Sequence, residues 1–548
     1  MKLLNILENL NYIIYENKEI ADIEINNVNI EVNNIRENDL YILKNSKIIK
    51  EKDEYILETQ NKKILNDNIE KAIENKAKAI VIEEKLNIDI NKLSKKIIVI
   101  LVQNIQIAEC IIAANYFKNP STKLKVVGIT GSTGKEETIY ALRQILVEAK
   151  KNVAILTKKN AYLNDKKINN NWMRSNFDLQ ENLYEMLSEN IEYVIVECDS
   201  ILLKHNIFLG IIFEIAGFTN ISNKEKYLKT HENLTDYLHS KLKLIEQAEY
   251  LVLNNDDFAS PYLKNKKVDK DKILTYGIMN KSDVQITNIN VKISKTNYMS
   301  IIGRIVEKIE INMPGKNEVM YTACSLTIAL KLNIEFEYIK LGLFNAYVPG
   351  KFEHIKTENN YPIIIDNPVT DNDYDELFFK IQTMSTGRTV ALISMEGLDI
   401  YDDPNLNLED EKNIQLIKNE EKRRNEIGKR LSKLCDFIVV TVSKPKFEPE
   451  DNIMEQIIKG IDKTKAKYFK YYHRKDGLKK VLQRPEIRDM IIILGLGDER
   501  FLKFKDRMVA FKEREEILKI LKTNSTEEKE DINQIKENIK RILENKGE

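Results

Sequence analysis

Short apolar runs rich in Val and Ile recur along most of the chain and alternate with stretches of helical spacing. They read "KVVGIT" (125–130), "NVAIL" (152–156), "YVIVEC" (193–198), "EYLVLN" (249–254), "PIIID" (362–366), "TVALIS" (389–394), "DFIVVT" (436–441) and "MIIILG" (490–495). Runs that are apolar at every position, not at alternate ones, predict strands buried on both faces, as in parallel sheets covered by helices. Segment 134–150 carries Ile139, Leu142, Ile145, Leu146 and Ala149 at helical spacing. The fold class expected is therefore α/β. Pro and Gly break the periodicity at "FKNPSTKL" (117–124) and "NAYVPGKFE" (345–353). These breaks predict a small α/β domain over 1–118, a nucleotide-type domain over 119–346 and a second α/β domain over 347–522. Residues 523–548 form a polar tail. In it, Ser525 and Glu528 make a capping box, and Ile532, Ile535, Ile539 and Ile542 line one face of an expected amphipathic helix. That helix either docks on its own protein or offers a site to a protein partner. No internal repeat is present.

At 548 residues the chain exceeds what one core organises, and about two to four domains are expected. Its 85 basic and 85 acidic residues balance, so no global field draws it to nucleic acid or to an anionic membrane. No apolar stretch reaches the roughly 18–20 residues that cross a bilayer. The opening "MKLLNILENLNYIIYENKEI" is interrupted by Asn and Glu and lacks a small-residue cleavage site, unlike a signal peptide. Cys110, Cys198, Cys324 and Cys435 are widely spaced, which argues against a zinc knuckle or a disulfide framework. The five histidines are scattered, so no dedicated metal cluster is expected. These features predict a soluble, cytoplasmic protein.

The segment "GITGSTGKEET" (128–138) follows an apolar strand and opens a helix. Exposed backbone N–H groups and the helix dipole make such a turn an anion site. Gly131 and Gly134 let the backbone approach a phosphate, and Lys135 supplies a point charge for the outer phosphates. Five residues separate Gly128 from Gly134, so the spacing is not that of GxxxxGK[ST]. Where hydroxyl residues would follow the lysine stand Glu136 and Glu137. Their charge opposes a triphosphate but suits the first turn of a helix whose loop is empty.

The loop resembles the G-[IV]-T-G-T-N-G-K-T-T-T signature of the Mur ligases, and the resemblance extends to about residue 522. It is strongest to the MurE branch, which adds the third residue to the muramyl peptide. "NNIRENDLYI" (33–42) is similar to that branch's "DSR.V.pGDLF", with Asn33 at its arginine position. "VECDSILLKHNIFLGIIFEIAGFTN" (196–220), "HENLTDYLHSKLKLI" (231–245) and "LNNDD" (253–257) follow in family order. So do "VPGKFEHI" (348–355), "IIIDNPVTD" (363–371), "VVTVSKPKFEPEDNI" (439–453) and "ILGLGDE" (493–499).

The resemblance implies three domains: one gripping a UDP-sugar, one holding ATP, and a Rossmann-like one receiving an amino acid. It implies ATP with Mg²⁺, a UDP-muramyl peptide and an amino acid as partners, and an acyl phosphate on the way to an amide bond. By register, Gly131, Ser132, Thr133, Gly134, Lys135 and Thr138 would meet the nucleotide, and Asp366 would lie near its ribose. Glu197 stands at the family's metal-binding glutamate. Lys241 stands at a lysine that is carbamylated and so becomes an anionic metal ligand. Lys446, Glu448 and Glu499 fall in the region that meets the incoming amino acid. Lys135, Glu197 and Lys241 would carry the chemistry.

The departures lie at the same motifs. Asp199, Ile201 and Ile207 replace serine, histidine and arginine, and "NKEKYLK" (223–229) stands where an Asp-His pair precedes the lysine segment. Asn367 and Val369 replace tyrosine and histidine; Ser443 and Lys446 replace aspartate and arginine, leaving the diaminopimelate preference of the branch in question. An acidic segment at 397–415 is longer than its counterpart. Two readings follow: a divergent ATP-dependent ligase of the MurE type, or a catalytically impaired paralogue with a binding, scaffolding or regulatory role.

Overall fold

The computed structural model describes residues 1–524 except 18, 52–53, 87, 169–170, 223–230, 268, 293–294, 356–360, 370, 403–409, 484 and 487. The tail helix expected over 525–548, the segment 223–229 and the middle of the acidic segment therefore lie outside the described residues.

The chain forms two compact units. The first comprises Met1–Asn290, Asn297–Ile311 and Lys316–Ala346; the second comprises Val291–Thr296, Asn312–Gly315 and the described chain from Tyr347 on. Among the described residues, two large sheets and a two-stranded one, Ser46–Glu51 with Glu54–Thr59, build the first unit. A five-stranded sheet runs in the order Ile13–Ile14, Ile98–Val102, Ala79–Glu83, Leu40–Ile42, Val28–Asn29. An eleven-stranded sheet has Lys125–Thr130 near its middle, between Tyr193–Glu197 on one side and Phe213–Phe218 on the other.

These three strands pair in parallel, as do Val153–Leu156, Ala248–Asn254 and Ile273–Gly277 beyond them. Every residue of Val153–Leu156 and Tyr193–Glu197 is buried, the consequence of helices on both faces. The sequence left 284–311 unassigned; it forms three further strands at the sheet edge, Val284–Val291, Thr296–Ile302 and Ile305–Ile311. Because strands on both sides of Lys125–Thr130 are reached by crossovers in opposite directions, the chain leaves a crevice at that strand's C-terminal end. The glycine loop occupies that position.

The second unit has a six-stranded sheet in the order Glu353–Ile355, Ile363–Asp366, Met490–Leu494, Thr389–Ile393, Phe437–Val440, Lys467–Lys470. Only the first of these strands pairs antiparallel to its neighbour. Ile364, Ile393, Ile438, Ile492 and Leu494 pack with Ile427 and Leu431 of the helix Glu411–Leu434 and with Ile453 and Ile457 of Glu450–Gly460 on one face. No helix among the described residues is long and apolar enough to cross a membrane.

Candidate functional site

The helix Lys135–Glu148 starts directly at the loop, with Gly134 as its N-cap residue at φ +78°. A side chain there would be strained by that φ, and its Cβ would meet the Tyr321 ring at 2.0 Å. A Cβ on Gly131 would sit 1.8 Å from the Thr219 hydroxyl. Both glycines are thus demanded by packing as well as by any ligand.

The loop between them is clamped by the strand end that follows Phe218. Asn220 uses its side chain as a backbone mimic: Thr133 N–H donates to its Oδ1 at 3.0 Å, and its Nδ2 donates to Thr133 O at 3.0 Å. Thr219 Oγ1 donates to the same carbonyl at 2.6 Å. Ser132 Oγ accepts from Ser222 N–H at 2.8 Å and shares a hydrogen bond with Tyr237 OH at 2.7 Å. Pre-set in this way, the loop keeps its shape without an anion to organise it.

Two lysines converge on one oxygen of that loop. Lys135 Nζ donates to Gly131 O at 3.2 Å, and Lys241 Nζ donates to the same carbonyl at 3.2 Å. Lys241, from the helix Leu234–Glu246, is 1% exposed; it also donates to Thr130 Oγ1 at 2.9 Å and lies 4.8 Å above the Tyr237 ring. Burial, helped by the charge of Lys135, pushes its pKa down to about 7. An unprotonated amine is the form that adds CO₂ to give a carbamate.

Glu197 ends the strand Tyr193–Glu197, 3.7 Å from Lys135 Nζ, and accepts from Lys158 N–H at 2.7 Å. Burial raises its pKa despite the nearby Lys135 charge. Asp199 goes the other way. Burial pushes it up, but the charges of Lys135 and Lys158 and the Ile201 N–H bring it below the ordinary aspartate value. Glu136 lies 3.8 Å from Lys159 Nζ. The anion site is therefore already laced with carboxylate–lysine pairs.

Thr138 does not face the loop. It is fully buried, and its hydroxyl donates to Tyr321 O at 3.2 Å, so it holds two helices together. The fit to a nucleotide is good at the backbone cradle and at Lys135. For a divalent cation, the described residues contain no group of three His, Cys, Asp or Glu that could hold one. Glu197, a carbamylated Lys241 and the oxygens of a bound phosphate together would supply such a donor set.

In the second unit, Asp366 ends the strand Ile363–Asp366; its Oδ1 accepts from Asn367 N–H at 2.7 Å. Lys446 adopts φ +54° and reaches Glu396 at 3.0 Å. Glu499 is bound not by Lys446 but by Lys444, at 2.9 Å, and Lys444 also reaches Glu396 at 3.3 Å. Burial opposes the charge on Lys444, yet Glu396 and Glu499 hold its pKa above the ordinary value. Glu448 is committed elsewhere. It is buried and accepts from Arg424 at 2.6 and 2.9 Å and from Leu398 N–H at 2.9 Å, so it ties three segments of the fold. Ser443 is likewise structural, 2.6 Å from Ser394 Oγ and donating to Gly495 O at 3.2 Å.

Lys135, Glu197 and Lys241 are brought together in the first unit; Lys446 and Glu499 share a charged cluster in the second. Sequence reading missed Tyr321, Lys158, Lys159, Glu396 and Lys444. Only Lys444 carried a signal, as part of "SKPK".

Residues 129–329 match the Mur ligase middle domain. The chain is 28% identical over 456 residues to the UDP-N-acetylmuramoyl-L-alanyl-D-glutamate–2,6-diaminopimelate ligase of Caldanaerobacter subterraneus, covering 83% of this chain and 88% of that one. It is 26% identical over 526 residues to the ligase of the same name from Clostridium tetani, covering 95% and 99%. A solved structure of a ligase of that name superposes with a TM-score of 0.66 at 14% identity, over 93% of this chain and 97% of the other. MurF of Acinetobacter baumannii superposes with a TM-score of 0.52 at 15% identity, over 87% and 92%. At such identities the superpositions speak to the fold alone, an α/β fold shared with these ligases.

Proposed function

We propose, from the match of residues 129–329 to the Mur ligase middle domain and the likeness to ligases of the MurE branch, that the chain is a cytoplasmic ATP-dependent Mur ligase of peptidoglycan synthesis. It joins an amino acid to the terminal carboxylate of a UDP-muramyl peptide. The observation that carries this reading is the convergence of Lys135 and Lys241 on Gly131 O, beside the buried Glu197.

ATP supplies the phosphoryl group that turns the acceptor carboxylate into an acyl phosphate. Catalysis of that kind rests on positioning and on charge stabilisation around phosphoryl oxygens. The Gly131–Gly134 backbone cradles the phosphates, and Lys135 swings from Gly131 O to the outer ones. Glu197 and a carbamylated Lys241 would hold Mg²⁺, which would supply positive charge to the phosphoryl oxygens. In the second unit, Glu499 receives the ammonium end of the amino acid, and Lys444, 2.9 Å away, orients that carboxylate. Lys446 meets the far end of the side chain. Nucleic acid has no part in this reading.

Phosphate release from Mg·ATP in the presence of UDP-muramyl dipeptide, screened across amino acids, tests it. Turnover that Lys135→Ala and Lys241→Ala abolish is the expected result. A second reading is favoured by Glu136 and Glu137 at the loop: a paralogue without ligase activity that binds the UDP-sugar or a protein partner. Retained UDP-muramyl binding without ATP affinity would select it.

A further inference from the structure

Ser200, His231 and Asp236 lie at separate points of the chain and form a hydrogen-bonded line. Ser200 Oγ is 2.9 Å from His231 Nε2, and His231 Nδ1 is 3.1 Å from Asp236 Oδ2. Both distances fall in the range of a nucleophile, its base and the group that orients the base. Three features make the line directional. Asp236 Oδ2 also accepts from Lys204 Nζ at 2.7 Å and from Glu232 N–H at 3.2 Å, which fixes the carboxylate and keeps it ionised. An ionised carboxylate at Nδ1 places the imidazole proton on that nitrogen and leaves Nε2 as the acceptor facing the serine. The His231 side chain is fully buried and packs edge-on against Tyr237 at 5.1 Å, so its ring cannot turn freely. Burial also lowers its pKa, leaving the ring neutral at pH 7 and able to take a proton. Ser200 itself is half-buried, at the first position of the helix Ser200–Lys204.

We infer that Ser200 is a nucleophile activated by His231 and Asp236, competent to accept acyl or phosphoryl groups from activated esters. This goes beyond the ligase reading and needs neither nucleotide nor metal. In the acyl case, Ser200 Oγ bonds to the carbonyl carbon while its proton passes to His231 Nε2. The alkoxide or phenolate leaves and takes up that proton. Water, deprotonated by the same nitrogen, then cleaves the acyl-serine to the free acid and restores the hydroxyl. With a fluorophosphonate, Oγ bonds to phosphorus, fluoride leaves, the proton stays on His231, and the adduct persists.

The test is labelling of the full chain by a fluorophosphonate without ATP, with the modified residue located by peptide mass spectrometry. A single adduct on Ser200, absent from Ser200→Ala, is expected. His231→Gln is expected to slow labelling by roughly a hundredfold or more, and Asp236→Asn to slow it while its circular dichroism matches the wild type. Two results overturn the inference: wild-type protein with a native melting transition that takes no label, or label on Ser200 that forms equally fast in His231→Gln. Because ATP turnover is measured separately, either activity can fail without the other.

Discussion

Lys135 Nζ lies 3.7 Å from Glu197 Oε1 and 3.2 Å from the carbonyl oxygen of Gly131. The cation that the loop would offer to a polyanion is folded back onto the loop and its neighbouring carboxylate. Opening the site for a triphosphate means exchanging these contacts for phosphate oxygens. Glu136, tied to Lys159 at 3.8 Å, adds a negative charge next to that exchange.

Replacing both loop carboxylates, Glu136→Thr with Glu137→Thr, is expected to tighten Mg·ATP binding. A like charge about 4 Å from a phosphate costs on the order of 4 kcal/mol at an effective dielectric near 20. That sets an upper limit of roughly a thousandfold in Kd. Calorimetry on wild type and variant decides the matter: unchanged affinity would show that the carboxylates do not oppose the triphosphate. Binding by the variant alone would select the impaired-paralogue reading.

Lys241 makes stability rise with pH. Its pKa is about 7 in the fold against 10.5 for the ordinary side chain, so between these values the unfolded chain binds the extra proton. Stability therefore increases as pH climbs through that window, and the burial penalty is fully present below pH 7. The contribution is on the order of 5 kcal/mol. Comparing urea unfolding of wild type and Lys241→Met from pH 7 to 10 isolates it, since the variant loses this slope. In ¹³C-bicarbonate the wild type is expected to show a carbamate resonance that Lys241→Arg lacks.

Arg424 and Glu448 form a fully buried, bidentate pair at 2.6 and 2.9 Å. Arg424→Met strands the carboxylate and is expected to destabilise the second unit by about 3–5 kcal/mol. Adding Glu448→Leu should recover much of that loss. Additive losses in the double variant, read by chemical denaturation, would contradict this.

Gly134→Ala forces a side chain into φ +78° and against the Tyr321 ring. The backbone strain alone is worth roughly 1–3 kcal/mol. Both thermal stability and Mg·ATP affinity are expected to fall. Tyr321→Ala in the same chain removes the steric part and should return some of the stability, leaving the strain. No recovery would mean that the ring yields without cost.

The buried strands and the glycine loop were legible in the sequence because each is a local property. A strand covered on both faces must be apolar at every position, and so "KVVGIT" and "MIIILG" mark Lys125–Thr130 and Met490–Leu494. Gly131 and Gly134 announce a turn that no side chain fits. The Mur resemblance added register, which located Lys135, Glu197 and Lys241. Tertiary structure alone decided what those groups are doing. Lys241 meets Gly131 across 110 residues of sequence, and its proton affinity comes from burial that no window of sequence records. Likewise, nothing near Glu448 reveals that Arg424 takes both its oxygens, or near Thr138 that its hydroxyl belongs to Tyr321. Hydrophobic patterning fixes which faces turn inward. The partner of a buried polar group depends on which strands and helices the packing brings alongside, and only the folded chain sets that.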